Sequence, residues 1–226
     1  MSSWGQKLML DSNSVSMHLI DSVHDWILFV LLIVMSVVFT WMSSLYSSGF
    51  SINRFLLSHE TLEVVWSITP LFLLGGLMGP SLSSLYCSDD SSSPLMTLKV
   101  TGNQWFWSYE YPDLPIESHS SYMSPSGEME DGHSFRNLEV DNSTVLPSGT
   151  PIRVIVSSED VAHSWAVPSL GVKMDAIPGR LNEISMYSGK CGLMYGQCSE
   201  ICGSLHSFMP VKLEVVDIGS FSKLLV

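Results

Sequence analysis

Ile27-Leu28-Phe29-Val30-Leu31-Leu32-Ile33-Val34-Met35 forms an unbroken apolar stretch in this 226-residue chain. It lies within the uncharged run 26–53 and predicts a helix over 26–46, since a membrane-spanning helix needs about 20 apolar residues. A cleaved signal peptide would have a shorter apolar region, a basic flank and a small-residue cleavage site. The flank here carries Asp21 and Asp25 instead. We therefore expect a retained transmembrane helix.

A second uncharged run, 64–88, predicts a second transmembrane helix over 63–87. Prolines and glycines interrupt it, and such residues are tolerated in membrane helices where neighbouring helices satisfy the freed backbone groups. We therefore expect this helix to pack against other membrane helices. The two spans predict an α-helical hairpin with segment 1–25 and the C-terminal part on the outer side. Loop 47–62 is expected on the inner side, because Arg54 is its only basic residue and basic loops face inward.

Charge is distributed unevenly along the chain. Only 14% of all residues are charged, against roughly 25% in soluble domains. The net charge is nevertheless −12, and residues 87–226 hold 17 acids and 8 bases. This balance excludes a nucleic-acid binder, which needs basic clusters. Four cysteines are too few for a disulfide-rich mini-protein. The composition indicates a membrane-anchored protein with an acidic water-soluble part.

The C-terminal part, 94–226, has the pattern of an all-β domain. Short alternating segments are separated by turn residues, and the clearest predicted strands are 95–101, 104–111, 151–158, 181–188 and 211–217. In the last of these, Val211, Leu213 and Val215 alternate with charged residues, which is typical of a half-buried strand. The Ser- and acid-rich stretch 117–132 is expected to be a surface loop. We predict a single Greek-key sandwich or barrel.

One short segment concentrates metal-binding side chains: Gly196-Gln197-Cys198-Ser199-Glu200-Ile201-Cys202-Gly203-Ser204-Leu205-His206-Ser207-Phe208-Met209-Pro210. It holds two thiols, an imidazole and a thioether, and His163 is the natural candidate for a second imidazole. Soft thiolate and thioether ligands together with imidazole select copper over hard cations.

The second cysteine changes the expected stoichiometry. A blue-copper site uses one cysteine, two histidines and a weak methionine, whereas two facing thiolates can bridge two copper ions. Each ion then needs one histidine and one weak axial ligand. The predicted ligands are His163, Cys198, the backbone carbonyl of Glu200, Cys202, His206 and Met209. Such a site is suited to electron transfer, because two metals that share an electron change geometry little.

Three simpler interpretations of the same residues stay open at this point. Cys198 and Cys202 could form a disulfide in an oxidising compartment. The cluster could bind zinc, although zinc gains little from a methionine. His163 alone could be a hydrogen-bonded core histidine. Cys87 and Cys191 lie outside the pattern and are expected to be structural.

Several longer motifs occur in a fixed order along the chain. They are Gln104-Trp105-Phe106-Trp107-Ser108-Tyr109-Glu110-Tyr111, Leu138-Glu139-Val140-Asp141-Asn142, 156–168, 175–182 and the metal-binding segment. With the two-helix hairpin, they closely resemble subunit II of cytochrome c oxidase, mitochondrial type, over nearly the whole chain. The resemblance implies a cupredoxin-like fold with a binuclear copper A centre. It also implies electron transfer from cytochrome c to haem a of subunit I, where oxygen is reduced to water and protons are translocated.

The same resemblance implies roles for individual residues. The copper ligands fall on the set given above, and the Glu200 side chain is implied to reach a Mg²⁺ ion shared with subunit I. Trp105 is implied as the point where electrons enter, and Glu63 as the acid near a proton path into subunit I. The acids implied in docking cytochrome c are Glu110, Asp141, Glu159 and Asp160. The implied location is the mitochondrial inner membrane, with the copper domain and both termini in the intermembrane space and loop 47–62 in the matrix.

Three related classes compete with this interpretation. A quinol-oxidase subunit II is a structural module without copper, and the complete ligand set counts against it. A copper-delivery protein of the assembly machinery has one membrane span and no use for His206 and Met209. The copper domain of nitrous oxide reductase shares the metal loop but not the membrane hairpin.

Overall fold

The computed structural model describes residues 9–47, 55, 57–89, 93–125 and 135–223. Arg54 and most of the predicted inner loop lie outside the described residues. The chain divides into two compact units, one made of 1–18 with 88–226 and the other of 19–87.

Two long helices account for most of the described part of the smaller unit. Helix α1, Val15–Ser47, has 33 residues, and helix α2, Glu60–Asp89, has 30. Both are long and apolar enough to cross a membrane, and the most apolar window of each contains no buried residue. Apolar side chains left exposed along a whole helix are compatible with a lipid environment. The predicted spans 26–46 and 63–87 lie within these helices, but α1 begins earlier than predicted.

Local hydrogen bonds explain where α1 begins and how it tolerates polar residues. The Ser14 hydroxyl accepts a bond from the Met17 backbone N–H at 2.9 Å, which is N-capping. Farther along, the hydroxyls of Ser36 and Thr40 donate to carbonyls four residues earlier at 2.6 and 2.7 Å. These polar groups are therefore satisfied inside the helix, as an apolar environment requires.

In the described part of the C-terminal domain, the main elements are ten strands and a short α-helix. They are β1 Met96–Asn103, β2 Phe106–Glu110, β3 His119–Ser121, β4 Thr144–Pro147, β5 Pro151–Ser158, β6 His163–Val167, β7 Val172–Ala176, β8 Asn182–Tyr187, β9 Gly192–Gln197, β10 Pro210–Val216 and α3 Ile218–Ser222. The sheets have the orders β3-β2-β1-β5-β8, β4-β10-β9 and β6-β7. Strands β1 and β5 pair in parallel, as do β4 and β10. Together the sheets enclose one apolar core that includes Trp107 and Trp165.

The alternation of apolar and polar residues in the sequence corresponds to strands with one buried face. Every second residue of β5 is buried, and β10 is buried in the same alternating way apart from its first two residues. All five residues of β6 are buried, so the sequence of this strand has no alternating pattern from which a strand could be predicted. The prediction that 117–132 is a surface loop is wrong for His119–Ser121, which pair with β2. These three polar residues carry no apolar signal, and their pairing depends on a distant strand.

The segment before α1 packs against the β-domain within the larger unit. The Asn13 backbone donates to the Ser169 carbonyl at 2.9 Å and accepts from the Gly189 N–H at 3.0 Å. The Ser14 hydroxyl donates to the Leu170 carbonyl at 2.7 Å. These residues of segment 1–25 are thus part of the folded domain.

Candidate metal centre

The metal-binding segment connects two paired strands. The antiparallel ladder of β9 and β10 ends at the register pair Gln197 and Pro210. The segment from Cys198 to Met209 therefore leaves one strand and returns to its neighbour. Its path is tied to β6 by a bond from the Ser199 N–H to the Ser164 carbonyl at 2.9 Å. This bond brings the segment next to His163, the first residue of β6.

Three of the predicted ligands meet in the buried interior. The ligand atoms of His163, Cys198 and Cys202 lie within 4.8 Å of one another. The Nδ1 atom of His163 is 3.9 Å from the Cys198 sulfur. Both cysteines are free thiols, so the structure does not contain the disulfide that the sequence left open. The separation of 35 residues between His163 and Cys198 is closed by the contact of β6 with β9.

The remaining predicted donors surround the same two sulfurs. The Cys202 sulfur lies 3.5 Å from Nδ1 of His206 and 3.5 Å from the sulfur of Met209. The Cys198 sulfur lies 3.3 Å from the backbone carbonyl oxygen of Glu200. Each thiol is therefore near one imidazole, and the two weaker donors are divided between them. The sequence predicts these six donors as ligands, and the structure adds which of them lie next to which thiol.

Asp160 orients His163 from the side away from the sulfurs. Its carboxylate oxygen lies 2.9 Å from Nε2 of His163. Metal-binding histidines usually donate their second ring N–H to a carboxylate or carbonyl, which fixes the tautomer and leaves the other nitrogen for the metal. Sequence reasoning missed this role, because an acid three residues before a histidine is not distinctive.

The space for the imidazole depends on a glycine and a tryptophan. A Cβ at Gly102 would lie 2.8 Å from Cδ2 of His163, so no larger residue fits there without displacing the ring. The Trp107 ring packs edge-on against His163 at 5.8 Å. Its indole N–H also donates to the Met209 carbonyl at 3.3 Å. Trp107 therefore contacts ligands from both ends of the site.

The turn between β1 and β2 lies beside the metal-binding segment. The Gln104 N–H donates to Asp160 at 2.6 Å, and the Gln104 side-chain amide donates to the Cys202 carbonyl at 2.7 Å. The half-buried Trp105 ring packs against Gly203, where a Cβ would lie 3.1 Å from it. Gly203 has φ +129°, a conformation that favours glycine. Gln104 thus joins the tryptophan turn to both ligand-bearing segments, and no sequence signal marked it.

The two thiols ionise differently. Burial alone would raise the pKa of Cys198, but hydrogen bonds from His163 and from the Ser164 backbone outweigh it and lower the pKa to about 7. Burial and the neighbouring Cys198 raise the pKa of Cys202 to about 12. Two adjacent thiolates repel each other, so a positive ion between them would favour ionisation of both.

The other predicted residues lie outside this cluster. Glu63 is exposed in the first turn of α2. The carboxylate of Glu110 pairs with Lys99 at 3.1 Å. Asp141 and Glu159 are exposed. Of the two remaining cysteines, Cys191 is exposed and Cys87 is partly buried, both as free thiols.

Two membrane-length helices and a β-domain with a buried Cys, His and Met cluster define a membrane-anchored, cupredoxin-like metalloprotein. The family model described as cytochrome c oxidase subunit II, periplasmic domain, matches residues 96–216. The corresponding transmembrane-domain model matches residues 2–84. The chain therefore belongs to the cytochrome c oxidase subunit II family, and this membership implies copper binding.

Individual relatives agree with the family models. Cytochrome c oxidase subunit 2 of Ctenocephalides felis is 46% identical over 99% of this chain and 97% of its own length. The protein of the same name from Sympetrum striolatum is 44% identical over 98% of this chain and 96% of its own.

Solved structures of oxidase subunit II domains are similar to part of this chain. The crystal structure of the periplasmic domain of subunit II (CoxB) from Bradyrhizobium japonicum is 43% identical, with TM-score 0.55. The match covers 60% of this chain and 94% of the CoxB domain. A structure of a CoxB periplasmic domain in a mixed disulfide with a thioredoxin-like protein is also 43% identical, with TM-score 0.52 and coverage of 60% and 92%.

Proposed function

We propose that this chain is the electron-accepting subunit of a cytochrome c oxidase and that it binds a binuclear copper centre. The observation that carries the proposal is the meeting of two imidazoles and a thioether around two buried thiols. The proposed ligands are His163, Cys198, the Glu200 carbonyl, Cys202, His206 and Met209. Two thiolates between two metal ions would let the centre share one electron and pass it onward.

The donor set fits copper better than zinc. Structural zinc sites use four thiolate or imidazole ligands in a closed tetrahedron. Here the Met209 sulfur lies 3.5 Å from the Cys202 sulfur and is 1% exposed, so a soft thioether is built into the cluster. Copper is the ion that combines thiolate, imidazole and a weak axial thioether. The two sulfurs, with one imidazole near each, support a stoichiometry of two ions.

The protein's own residues would position this centre and connect it to the surface. Asp160 holds His163 so that Nδ1 faces the sulfurs, and Trp107 holds the carbonyl of Met209. Trp105 packs on the metal-binding segment at Gly203, which supports its predicted role as the point where electrons enter. A short covalent and van der Waals route runs from there to Cys202.

We assign cytochrome c as the electron donor and other oxidase subunits as partners. The acidic balance of residues 87–226 favours a basic partner, because complementary charge accelerates association. Among the predicted docking acids, Asp141 and Glu159 are exposed. Glu110 is paired with Lys99, and Asp160 is engaged with His163. Asp141 also accepts from the Tyr122 and Asn142 N–H groups, so Glu159 is the best supported of the four for a docking role.

Two further assignments belong to the proposal. The Glu200 carbonyl is near Cys198 while its side chain is exposed, so the carboxylate is free to reach a Mg²⁺ ion shared with subunit I. Glu63 lies exposed at the start of a membrane-length helix, which supports its role near a proton path, since ionisable groups at such positions are functional candidates.

We place the protein in the mitochondrial inner membrane. Nearly full-length similarity to animal relatives supports this location, and the two helices support a double span. The copper domain and both termini would then lie in the intermembrane space.

Copper loading tests the central claim. The full chain in detergent, loaded with copper, is expected to bind two ions and give a mixed-valence EPR signal. Cys202→Ser is expected to abolish that signal, because a hydroxyl does not bridge copper as a thiolate does. Cys191→Ser is the matched control, since that thiol is exposed and outside the cluster. A Cys202→Ser chain that kept two coppers and the shared-electron signal would contradict the proposal.

Stopped-flow reduction by cytochrome c across a salt series tests the partner. Glu159→Gln is expected to lower the bimolecular rate at low salt and flatten its salt dependence, because steering charges are screened. Glu183→Gln, an exposed acid of β8, is the control. Trp105→Ala should slow electron transfer after docking and leave the salt slope unchanged. Equal rates for both glutamine variants would remove Glu159 from the docking surface.

A further inference from the structure

A largely buried hydrogen-bonded cluster joins β9 and β10, the two strands that the metal-binding segment connects. Tyr195 of β9 and Lys212 of β10 are register partners in the antiparallel ladder. The Tyr195 hydroxyl donates to one oxygen of Glu139 at 2.9 Å, and the Lys212 ammonium donates to the other at 2.6 Å. Glu139 is only 8% exposed, and it also accepts from the Phe135 N–H at 3.2 Å. One carboxylate therefore binds both strands at the same level.

We propose that Glu139 is a positioning residue for the metal-binding segment, acting through Tyr195 and Lys212. By holding β9 and β10 together three residues from Cys198 and Met209, it fixes where the segment begins and ends. We call Glu139, Tyr195 and Lys212 the Glu139 clamp. This inference rests on the metal site proposed above and adds a residue that does not touch it.

The clamp holds the ladder from the face opposite the core. The neighbouring register pair, Met194 and Leu213, is buried in the main apolar core. Successive side chains of a strand point to opposite faces, so Tyr195 and Lys212 lie on the other face. The Phe135 ring packs edge-on against Tyr195 at 5.5 Å and helps to cover this face. The ladder is thus packed on both sides just before the segment leaves it.

Because the clamp is buried, the loss of one of its members should cost more free energy than the loss of one member of an exposed ion pair. The side chains of Lys212 and Glu139 are 19% and 11% exposed. Removing one member of a buried pair leaves the other charge without a partner in a poorly solvated position, which is strongly unfavourable. The ion pair of Lys99 and Glu110 also joins register partners of adjacent antiparallel strands, but its side chains are 37% and 43% exposed. Exposed pairs contribute little, so this pair provides a matched control.

The test uses the full chain in detergent, with and without copper. The variants are Glu139→Gln, Lys212→Met and Tyr195→Phe, and the control is Lys99→Met. In the copper-free chain, we expect amide hydrogen exchange to accelerate in the first two variants at those amides of residues 194–197 and 211–213 that donate across the β9–β10 ladder. Protection in β5 and β8 should stay close to that of the unmodified chain. Tyr195→Phe removes one hydroxyl and no charge, so its change should be smaller and in the same direction.

In the copper-loaded chain, transfer of copper to a chelator should be about tenfold faster in Glu139→Gln and Lys212→Met, the lower end of the range for residues that orient ligands. The EPR hyperfine splitting should change as well, because the ligand positions shift. Lys99→Met should leave the rate and the spectrum unchanged.

Two results would overturn the clamp. One is a chelator rate and an EPR spectrum identical to the unmodified chain in all three variants. The other is a uniform loss of exchange protection in every strand, which would give Glu139 a purely global structural role. If the unmodified chain failed to bind copper, the proposed function would fail instead, and the exchange experiment on the copper-free chain would still decide whether Glu139 orders the strand ends.

Discussion

Gly76 in α2 and Gly196 in β9 occupy contrasting surroundings. A Cβ added at Gly76 would meet no atom within 4 Å beyond its own helical turn, among the described residues. A Cβ added at Gly196 would overlap the carbonyl oxygen of Ala166 in β6. One glycine leaves an open surface on a helix, whereas the other allows two backbones of the β-domain to touch. Gly196 is thus required by a close backbone contact inside the β-domain, whereas Gly76 is not required by any contact among the described residues.

Apolar side chains follow the same division. In the β-domain, large residues such as Trp107 and Trp165 are fully buried. In α1, Phe29 and Leu32 are exposed by 55% and 66%. In water such a surface would be very unfavourable, so it is consistent with helices that lie in a membrane. The four predictions below test this contrast in order of expected size.

The largest expected effect comes from a charge in the exposed apolar surface of α1. Val37→Arg should raise the apparent free energy of membrane insertion by about 3 kcal/mol, because arginine at a helix centre is strongly disfavoured. A glycosylation-site insertion assay measures this, with Val37→Leu as the control. Equal insertion of both variants would mean that this surface does not contact lipid.

Next in size is the close contact in β9. Gly196→Ala should lower the free energy of unfolding of the β-domain by about 2 to 3 kcal/mol, as overpacking does when a backbone must move. Urea denaturation of the chain in detergent, followed by near-UV circular dichroism, gives the change. An unaltered midpoint would show that β6 and β9 separate easily. Because Cys198 lies two residues onward, the copper content should also fall.

The matching change in α2 should have a small effect of the opposite sign. Gly76→Ala should stabilise the helix by up to about 1 kcal/mol, since alanine is the better helix former. Thermal unfolding of α2 by far-UV circular dichroism measures it. Co-purification with the other oxidase subunits measures a second effect of the same variant. We expect the variant to associate with those subunits more weakly, because the added methyl group fills space left for a neighbouring helix. Unchanged assembly would leave Gly76 without a packing role.

The smallest expected effect is a pH dependence confined to the β-domain. His119 is half-buried, and its ring stacks on Tyr109 and Tyr111. Burial lowers its pKa below the usual 6.5, and the charge of Asp141 opposes this only in part. The contribution of neutral His119 is therefore complete above pH 6.5 and is lost as the pH falls through the lower folded-state pKa.

His119→Phe should flatten the fall in unfolding free energy that the unmodified chain shows below pH 6.5. Urea denaturation at several pH values between 7.5 and 5 measures the slope. Identical slopes for the two chains would exclude His119 as the cause. The helical unit should show no such dependence.

Sequence and tertiary structure contributed differently to the candidate site. The five donors from Cys198 to Met209 lie in one short segment, so their spacing alone indicated a metal site. The clustering of the two thiols with His163 was inferred from ligand chemistry and agrees with the structure. Asp160 was expected at a docking surface, and that role stays a prediction, but its bond to His163 appears only after folding. The roles of Gln104 and Glu139 likewise depend on partners far away in the chain.

The sequence by itself determined the two helices and the alternating strands β5 and β10, because their signals are local: long apolar runs and a two-residue period. It also predicted the donor set, because ligand chemistry and short spacing are properties of the chain. Tertiary structure decided that β3 and β6 are strands and which thiol lies near which imidazole. It also decided that the carboxylates of Asp160 and Glu139 bind buried partners. Those outcomes depend on contacts between segments separated by tens of residues, and burial and orientation exist only once the sheets have packed.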